Sequence, residues 1–166
     1  MKFNELKCIN DSVDLDDYLS FYKLVRDNMV HPEWLGVFSK QEIVKILSNG
    51  GKIWMYYNDC DIVCSMFYIP ATNNSLLKHN IIYNENEVGS LGPIMVNPCY
   101  LGNGFQIAMM KVFDEYCKSI GKKYIFTKAH ADNIYSINNI LKDNYRLVDK
   151  YENERGKMKA FIKRII

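Results

Sequence analysis

The segment Val96-Asn97-Pro98-Cys99-Tyr100-Leu101-Gly102-Asn103-Gly104-Phe105-Gln106 sets the architecture of this chain. Just before it, Ser90–Val96 (SLGPIMV) is a short apolar run of strand character, closed by Asn97-Pro98. Just after it, Phe105, Ala108, Met109, Val112, Phe113, Tyr116 and Ile120 recur at helical spacing until Gly121 stops them. A strand therefore runs through a tight glycine turn straight into a long helix. The first amides of such a helix lack internal partners, and its dipole puts partial positive charge on them. Two glycines let an anion come close to the backbone, so the turn suits a phosphate or pyrophosphate without any lysine. A P-loop would need Gly-Lys-Ser/Thr, and a dinucleotide fingerprint would need a glycine where Ile107 stands. Taken alone, Gly-x-Gly is also what an ordinary strand-to-helix turn carries.

Working outward, Pro93 inside the Ser90–Val96 run predicts a bulge or a sheet edge, since proline has no ladder donor. Phe3–Ile9 is a candidate first strand. Apolar residues from Leu15 to Met29 keep a helical period, and a second helix follows Ser39, whose spacing to Glu42 is a capping box. Gly50-Gly51 ends that helix. Lys52–Tyr57 and Asp61–Ile69 read as a hairpin about Asn58-Asp59-Cys60. Ala71–Glu87 is broken up by Asn73, Asn74, Asn84 and Asn86 and reads as loop. Beyond the long helix come a strand at Lys123–Lys128, a short helix at Asn133–Lys142, and a closing hairpin of Leu147–Glu152 with Lys157–Ile165. The order is that of an α/β (α+β) protein with a mixed sheet.

Size and charge narrow the classes. A chain of 166 residues fits a single domain, 1–166, and buries about 70% of its unfolded surface, enough for a core without metal or disulfides. Its 21 basic against 19 acidic residues argue against a dedicated nucleic-acid binder. No apolar run approaches a membrane span, and MKFNELKCIN lacks the apolar stretch of a signal peptide. Cys8, Cys60, Cys64, Cys99 and Cys117 are odd in number with no C-x-x-C pair, which reads as reduced thiols in a cytoplasmic protein. Three scattered histidines make no metal site.

Leu91-Gly92-Pro93-Ile94-Met95-Val96-Asn97-Pro98 through Gly102-Asn103-Gly104 resembles motif A of the GNAT superfamily of acyl-CoA N-acyltransferases. Asn133-Ile134-Tyr135-Ser136, with Lys142 and Asn144-Tyr145, resembles the motif B of the same family. The resemblance implies a mostly antiparallel mixed sheet flanked by helices and splayed between its fourth and fifth strands. It implies an N-acetyltransferase that moves acetyl from acetyl-CoA to a primary amine, on a small molecule or a peptide, by direct attack. Backbone groups of Ile94, Met95 and Val96 would hold the pantetheine arm and the thioester carbonyl. The amides of Leu101, Gly102, Asn103, Gly104, Phe105 and Gln106 would hold the pyrophosphate, and Asn133 would bond the pantetheine from across the cleft. No metal, nucleic acid or membrane is implied. Many members pair their sheets, so a homodimer is among the expected assemblies.

The chain departs from the family at telling places. Leu101 replaces the usual Arg/Gln, Gln106 a small Gly/Ala, and Asn144 a glycine. Ile140 stands where a tyrosine often protonates the leaving thiolate. The remaining acid and base candidates are Glu87, before the central strand, His130, of a residue type suited to acid–base work near neutral pH, and Tyr135. Each also has a plain structural reading: a solvated loop carboxylate, a polar strand end, a helix-surface tyrosine. The rival to a transferase is a GNAT-like module that binds CoA without catalysis and acts as a sensor or interaction domain. An unrelated nucleotide-binding α/β protein is the third reading.

Overall fold

Each change in the period of the apolar residues marks a change of element in the computed structural model, which describes residues 6–8 and 12–166. Helix α1 is Ser12–Asp27 and α2 is Lys40–Ser48. The Ser39 capping box forms: Ser39 Oγ accepts the Glu42 N–H at 3.1 Å, and the Glu42 carboxylate accepts the Ser39 N–H at 2.6 Å. Strands β2 (Lys52–Asn58) and β3 (Asp61–Pro70) make the expected hairpin, with Asp59 at φ +53° in its turn. Strand β1 is Leu6–Cys8; the rest of the candidate strand Phe3–Ile9 lies outside the described residues. The Asn-rich stretch read as loop contains a one-turn helix, α3 (Asn73–Leu77), capped by Thr72 and Ser75.

Strand β4 (Val88–Val96) leads to α4 (Phe105–Ser119), then come β5 (Tyr124–His130), α5 (Ile134–Lys142), β6 (Arg146–Asn153) and β7 (Gly156–Arg164). Among the described residues the strands form one sheet in the order β1-β2-β3-β4-β5-β7-β6. Every neighbouring pair is antiparallel except β4–β5. The parallel pair runs only from Val88↔Tyr124 to Leu91↔Thr127. Past that rung β4 stays on β3 to Val96↔Cys64, while β5 stays on β7 to His130↔Met158, so the two part.

Gly92-Pro93 lie opposite Phe67 at the register shift of β3 and β4. This is the bulge that Pro93 predicts; the edge alternative is wrong, because β4 sits in the middle of the sheet. The bulge has already broken the ladder there, so proline's missing N–H forfeits no regular bond. A Cβ on Gly92 would come within 2.8 Å of Ile69 Cδ1 and 3.1 Å of the Phe67 carbonyl, which explains the glycine.

Helices α4 and α5 cover one face of the sheet, packing Met109, Met110, Phe113, Ile137 and Ile140 on Met66, Leu91, Ile125 and Phe161. The buried stripe of α4 is turned slightly from the expected one: Met110 and Cys117 are inside, and Ile120 is exposed. On the opposite face α1 and α2 pack Tyr18, Phe21 and Ile43 on Ile53, Met55, Phe67 and Met95. Leu76 and Ile81 cover Phe126, Ala160 and Ile162 beside them.

One buried charge cluster ties the α4/α5 face together. Lys163 of β7 donates to Asp114 of α4 at 2.6 Å and to Asp143 at the end of α5, with its ammonium 4.7 Å from the Tyr145 ring. Burial raises the Asp114 carboxyl above its usual range even though Lys163 opposes the shift. Replacing Lys163 by Met leaves two half-buried carboxylates without their shared cation, so unfolding in urea should show a loss of about 2–3 kcal/mol near neutral pH. The loss should shrink as the pH falls and protonation removes the uncompensated charges.

Candidate active site

The glycine turn is built by two asparagines. Asn97, buried at the end of β4, donates its N–H to the Val63 carbonyl at 2.8 Å and its Nδ2 to the Ile62 carbonyl at 3.0 Å. Its Oδ1 accepts the Cys99 N–H at 3.0 Å, starting the short 3-10 turn Pro98–Tyr100. Asn103 Nδ2 then donates to the carbonyls of Tyr100 at 3.0 Å and Leu101 at 3.3 Å. The two side chains thus take up the Cys99 amide and the carbonyls of Tyr100 and Leu101, and leave the amides from Leu101 onward without a side-chain partner. Gly102 (φ +79°) and Gly104 (φ +76°) hold the left-handed conformation this path requires. Neither is crowded: a Cβ on either would meet nothing within 4 Å. Gly104 caps α4 without any side-chain cap. Among the described residues no backbone N–H from Leu101 through Ile107 has a partner within the chain.

The turn opens directly onto the parting of β4 and β5. Asn97 N–H bonds to Val63, so alternation along an antiparallel ladder aims the backbone groups of Met95 at β3. Those of Ile94 and Val96 then point the other way, into the gap. On the far side the Ala131 N–H bonds to the Lys157 carbonyl at 2.8 Å, which by the same alternation turns the backbone of Lys128 and His130 toward the gap. Thr127 Oγ1 donates to the Leu91 carbonyl at 3.1 Å and locks the apex.

Asn133 caps α5, its Oδ1 accepting the Ser136 N–H at 3.1 Å. The side chain of Gln106 does not lie over the loop. Its Nε2 donates to Ser136 Oγ at 3.0 Å and its Oε1 accepts from Asn139 Nδ2 at 2.8 Å, joining the start of α4 to α5. Sequence reading missed this trio; the signal was a pair of polar residues, Ser136 and Asn139, one helical turn apart on an otherwise apolar face.

The acid and base candidates are scattered. Glu87 lies four residues, roughly 13 Å of strand, before the last β4–β5 rung at Leu91, at the closed end of the splay. There it pairs with Lys123 at 2.6 Å, whose hydrogen bond and charge hold the Glu87 carboxyl below its usual range. His130 is at the open end but buried, with both ring nitrogens engaged. Nδ1 accepts the Asp132 N–H at 3.2 Å, which leaves Nε2 to donate to the Arg155 carbonyl at 3.0 Å and fixes a neutral tautomer. Tyr135 is exposed on the first turn of α5, and Ile140 is buried in the core. Another pair was not foreseen: His79 Nδ1 and Asp149 Oδ2 lie 2.9 Å apart beneath Tyr151 and Phe126. Two surface cavities of about 380 and 350 Å³ lie along β6 and β7 and include no residue of the glycine turn.

At the open end, the β6–β7 turn reaches across to the connection between α1 and α2. Arg155 donates from Nε to the Glu33 carbonyl at 3.0 Å and from its terminal nitrogen to the Trp34 carbonyl at 2.6 Å. These contacts close an arch over the face opposite α4 and α5.

No family model matches the sequence, and no curated protein does. Solved structures do. The acetyltransferase of GNAT family from Streptococcus pneumoniae superposes with a TM-score of 0.72 at 12% identity, covering 98% of this chain and 100% of that one. The GNAT family acetyltransferase from Elizabethkingia anophelis, with acetyl-CoA bound, gives 0.69 at 11% over 97% and 99%. The ribosomal-protein-S18-alanine N-acetyltransferase from Escherichia coli gives 0.71 at 10% over 96% and 94%. This chain has the GNAT fold. Within it, the expected splay between the fourth and fifth strands is present, and no helix among the described residues is long and apolar enough to cross a membrane.

The parting strands β4 and β5 lead into α4 and α5, so the Gln106 contacts should set how far apart those two helices stand. Gln106→Ala removes two hydrogen bonds and should lower stability by about 1–2 kcal/mol. Hydrogen–deuterium exchange should quicken at the first turn of α5 while the β2–β3 amides keep their rates.

Proposed function

We propose that this protein is an acetyl-CoA-dependent N-acetyltransferase acting on a primary amine of a small molecule or peptide. The observation that carries the reading is a pair of unpaired backbone surfaces in one strand–turn–helix unit. One is the open amides of Leu101–Ile107, at the start of α4, and the other is the free edge of β4 at Ile94 and Val96. A pyrophosphate matches the first part in charge, and an amide-bearing pantetheine arm matches the second in hydrogen bonding. Lys128 and His130 backbone groups and Asn133 Nδ2 would line the other wall. Met95 would not contribute backbone bonds, because β3 uses them.

In direct transfer the amine lone pair attacks the thioester carbonyl, the C–S bond breaks, and CoA leaves as thiolate. The amine nitrogen gives its proton to water, and the thiolate, a weak base, takes one up from solvent. The chain's contribution is then chiefly position: a fixed donor, an apolar surround and an acceptor held in line. That account needs neither a tyrosine at position 140 nor the ring of His130. Of the side-chain candidates, Tyr135 is the one whose hydroxyl is exposed beside the cleft wall, and Glu87 is the most remote. Buried Ile140 favours a second reading, a CoA-binding module without turnover, which differs from the first only in the acceptor assay.

Isothermal titration of acetyl-CoA tests the reading. Gly104→Glu should reduce affinity by about 100-fold or more, since a carboxylate then sits among the amides. The same change should lower stability by only about 1–2 kcal/mol, the strain of a left-handed side-chain residue. Undetectable binding to the intact protein would overturn the proposal. With an acceptor in hand, kcat/KM should rise about tenfold per pH unit below the amine's own pKa, because only the neutral amine attacks. A plateau well below that pKa would instead reveal a protein base.

A further inference from the structure

A donor laid from the glycine turn into the splay enters from the α4/α5 side. The opposite face, under α1, α2 and the Arg155 arch, is left to the acceptor. Strand β5 floors that face, and period-two alternation puts Phe126, Lys128 and His130 in a row along it. Phe126 carries the His79 ring at 5.4 Å, beside Lys78. His130 carries Arg155 through its carbonyl at 3.0 Å. Lys128 stands between them, one residue past the Thr127↔Leu91 rung where β4 and β5 separate. Its ammonium folds back to 5.9 Å from the Phe126 ring.

The charges in this row are unbalanced. Among the described residues, Lys128, Lys78 and Arg155 make no ion pair. Arg155 spends two donors on main-chain carbonyls and keeps its full charge. Nearby carboxylates are already committed: Asp149 to His79 at 2.9 Å and Glu33 to His31 at 3.1 Å, which leaves Glu154 in the turn. Partial desolvation of an otherwise exposed side chain, then the charges of Arg155 and Lys78, hold the Lys128 ammonium below the usual lysine value, with Glu154 opposing them. Glu154 acts on both Lys128 and Arg155 but is one carboxylate against three cations, so the floor keeps a positive excess that an anion between Lys128 and Arg155 would relieve.

We infer that the acceptor amine carries an anionic group, a carboxylate or a phosphate, which Lys128 and Arg155 hold on the β5 floor while the amine faces the splay. This rests on the transferase reading for the role of the site, but anion binding can be measured without turnover. The probes are phosphoethanolamine against ethanolamine, and β-alanine against β-alaninamide, titrated into protein saturated with CoA and into protein alone. At least one anionic probe should bind about tenfold tighter than its neutral partner, the weight of a charge-assisted hydrogen bond. Which of the two does so separates phosphate from carboxylate. Lys128→Gln should erase the preference, and Lys128→Arg should restore most of it, which a merely structural role for the lysine would not predict. Equal affinities within both pairs, no binding of either anion, or a preference that survives Lys128→Gln would overturn the inference. Failure of CoA to bind would sink the transferase reading separately, and the titrations without CoA would still decide this one.

Discussion

Everything at the site depends on β4 and β5 ceasing to pair after Leu91 and Thr127. A parallel pair in the middle of a sheet normally continues, because each unmade rung leaves backbone groups unsatisfied. Here each strand is held by its other neighbour, β4 by β3 and β5 by β7, so the groups facing the gap stay ordered without being used. The Gly92-Pro93 bulge lies just past the last rung, where it re-aims the upper half of β4. A row of amides and carbonyls is thus presented at fixed spacing inside a folded core. The glycine turn repeats this at smaller scale, with Asn97 and Asn103 taking the backbone bonds that shape it and leaving the amides from Leu101 to Ile107 without a partner within the chain. Both surfaces are made of main chain. Departures such as Leu101 therefore leave this main-chain geometry standing.

Much of this was legible in the sequence because it is local. A capping box spans three residues, a two-residue hairpin turn announces itself, and Pro93 predicts its own bulge. The splay followed from a motif whose strand, turn and helix are contiguous. The α4 stripe was read nearly in register, missing Met110 and Cys117 because methionine and cysteine vary in how they share a helix face. Helix α3 escaped because one turn inside an Asn-rich stretch has no period to detect.

What stayed hidden is polar and long-range. His79 and Asp149 are 70 residues apart, Lys163 and Asp114 are 49 apart, and Gln106 and Asn139 are 33 apart. Each pair depends on the register of one element against another, which hydrophobic periodicity does not encode. His130 shows the converse. Its type and place at a strand end point to acid–base chemistry, and only the contacts at Asp132 and Arg155 show both nitrogens occupied. The sequence names which groups can do chemistry, while the neighbours decide which are at liberty to.

The α4–α5 pair is fastened at both ends: by Gln106 to Ser136 and Asn139 near the helix starts, and through Lys163 to Asp114 and Asp143 farther along. Two bodies joined at a single point can swivel, but joined at two separated points they behave as one plate. Any breathing of the splay must then tilt the plate as a unit over the sheet, or come from the opposite wall. That wall is held at its rim by one arginine gripping two carbonyls. Compliance in this molecule is therefore lopsided, with a stiff α4/α5 side and an opposite side that can flex at the arch.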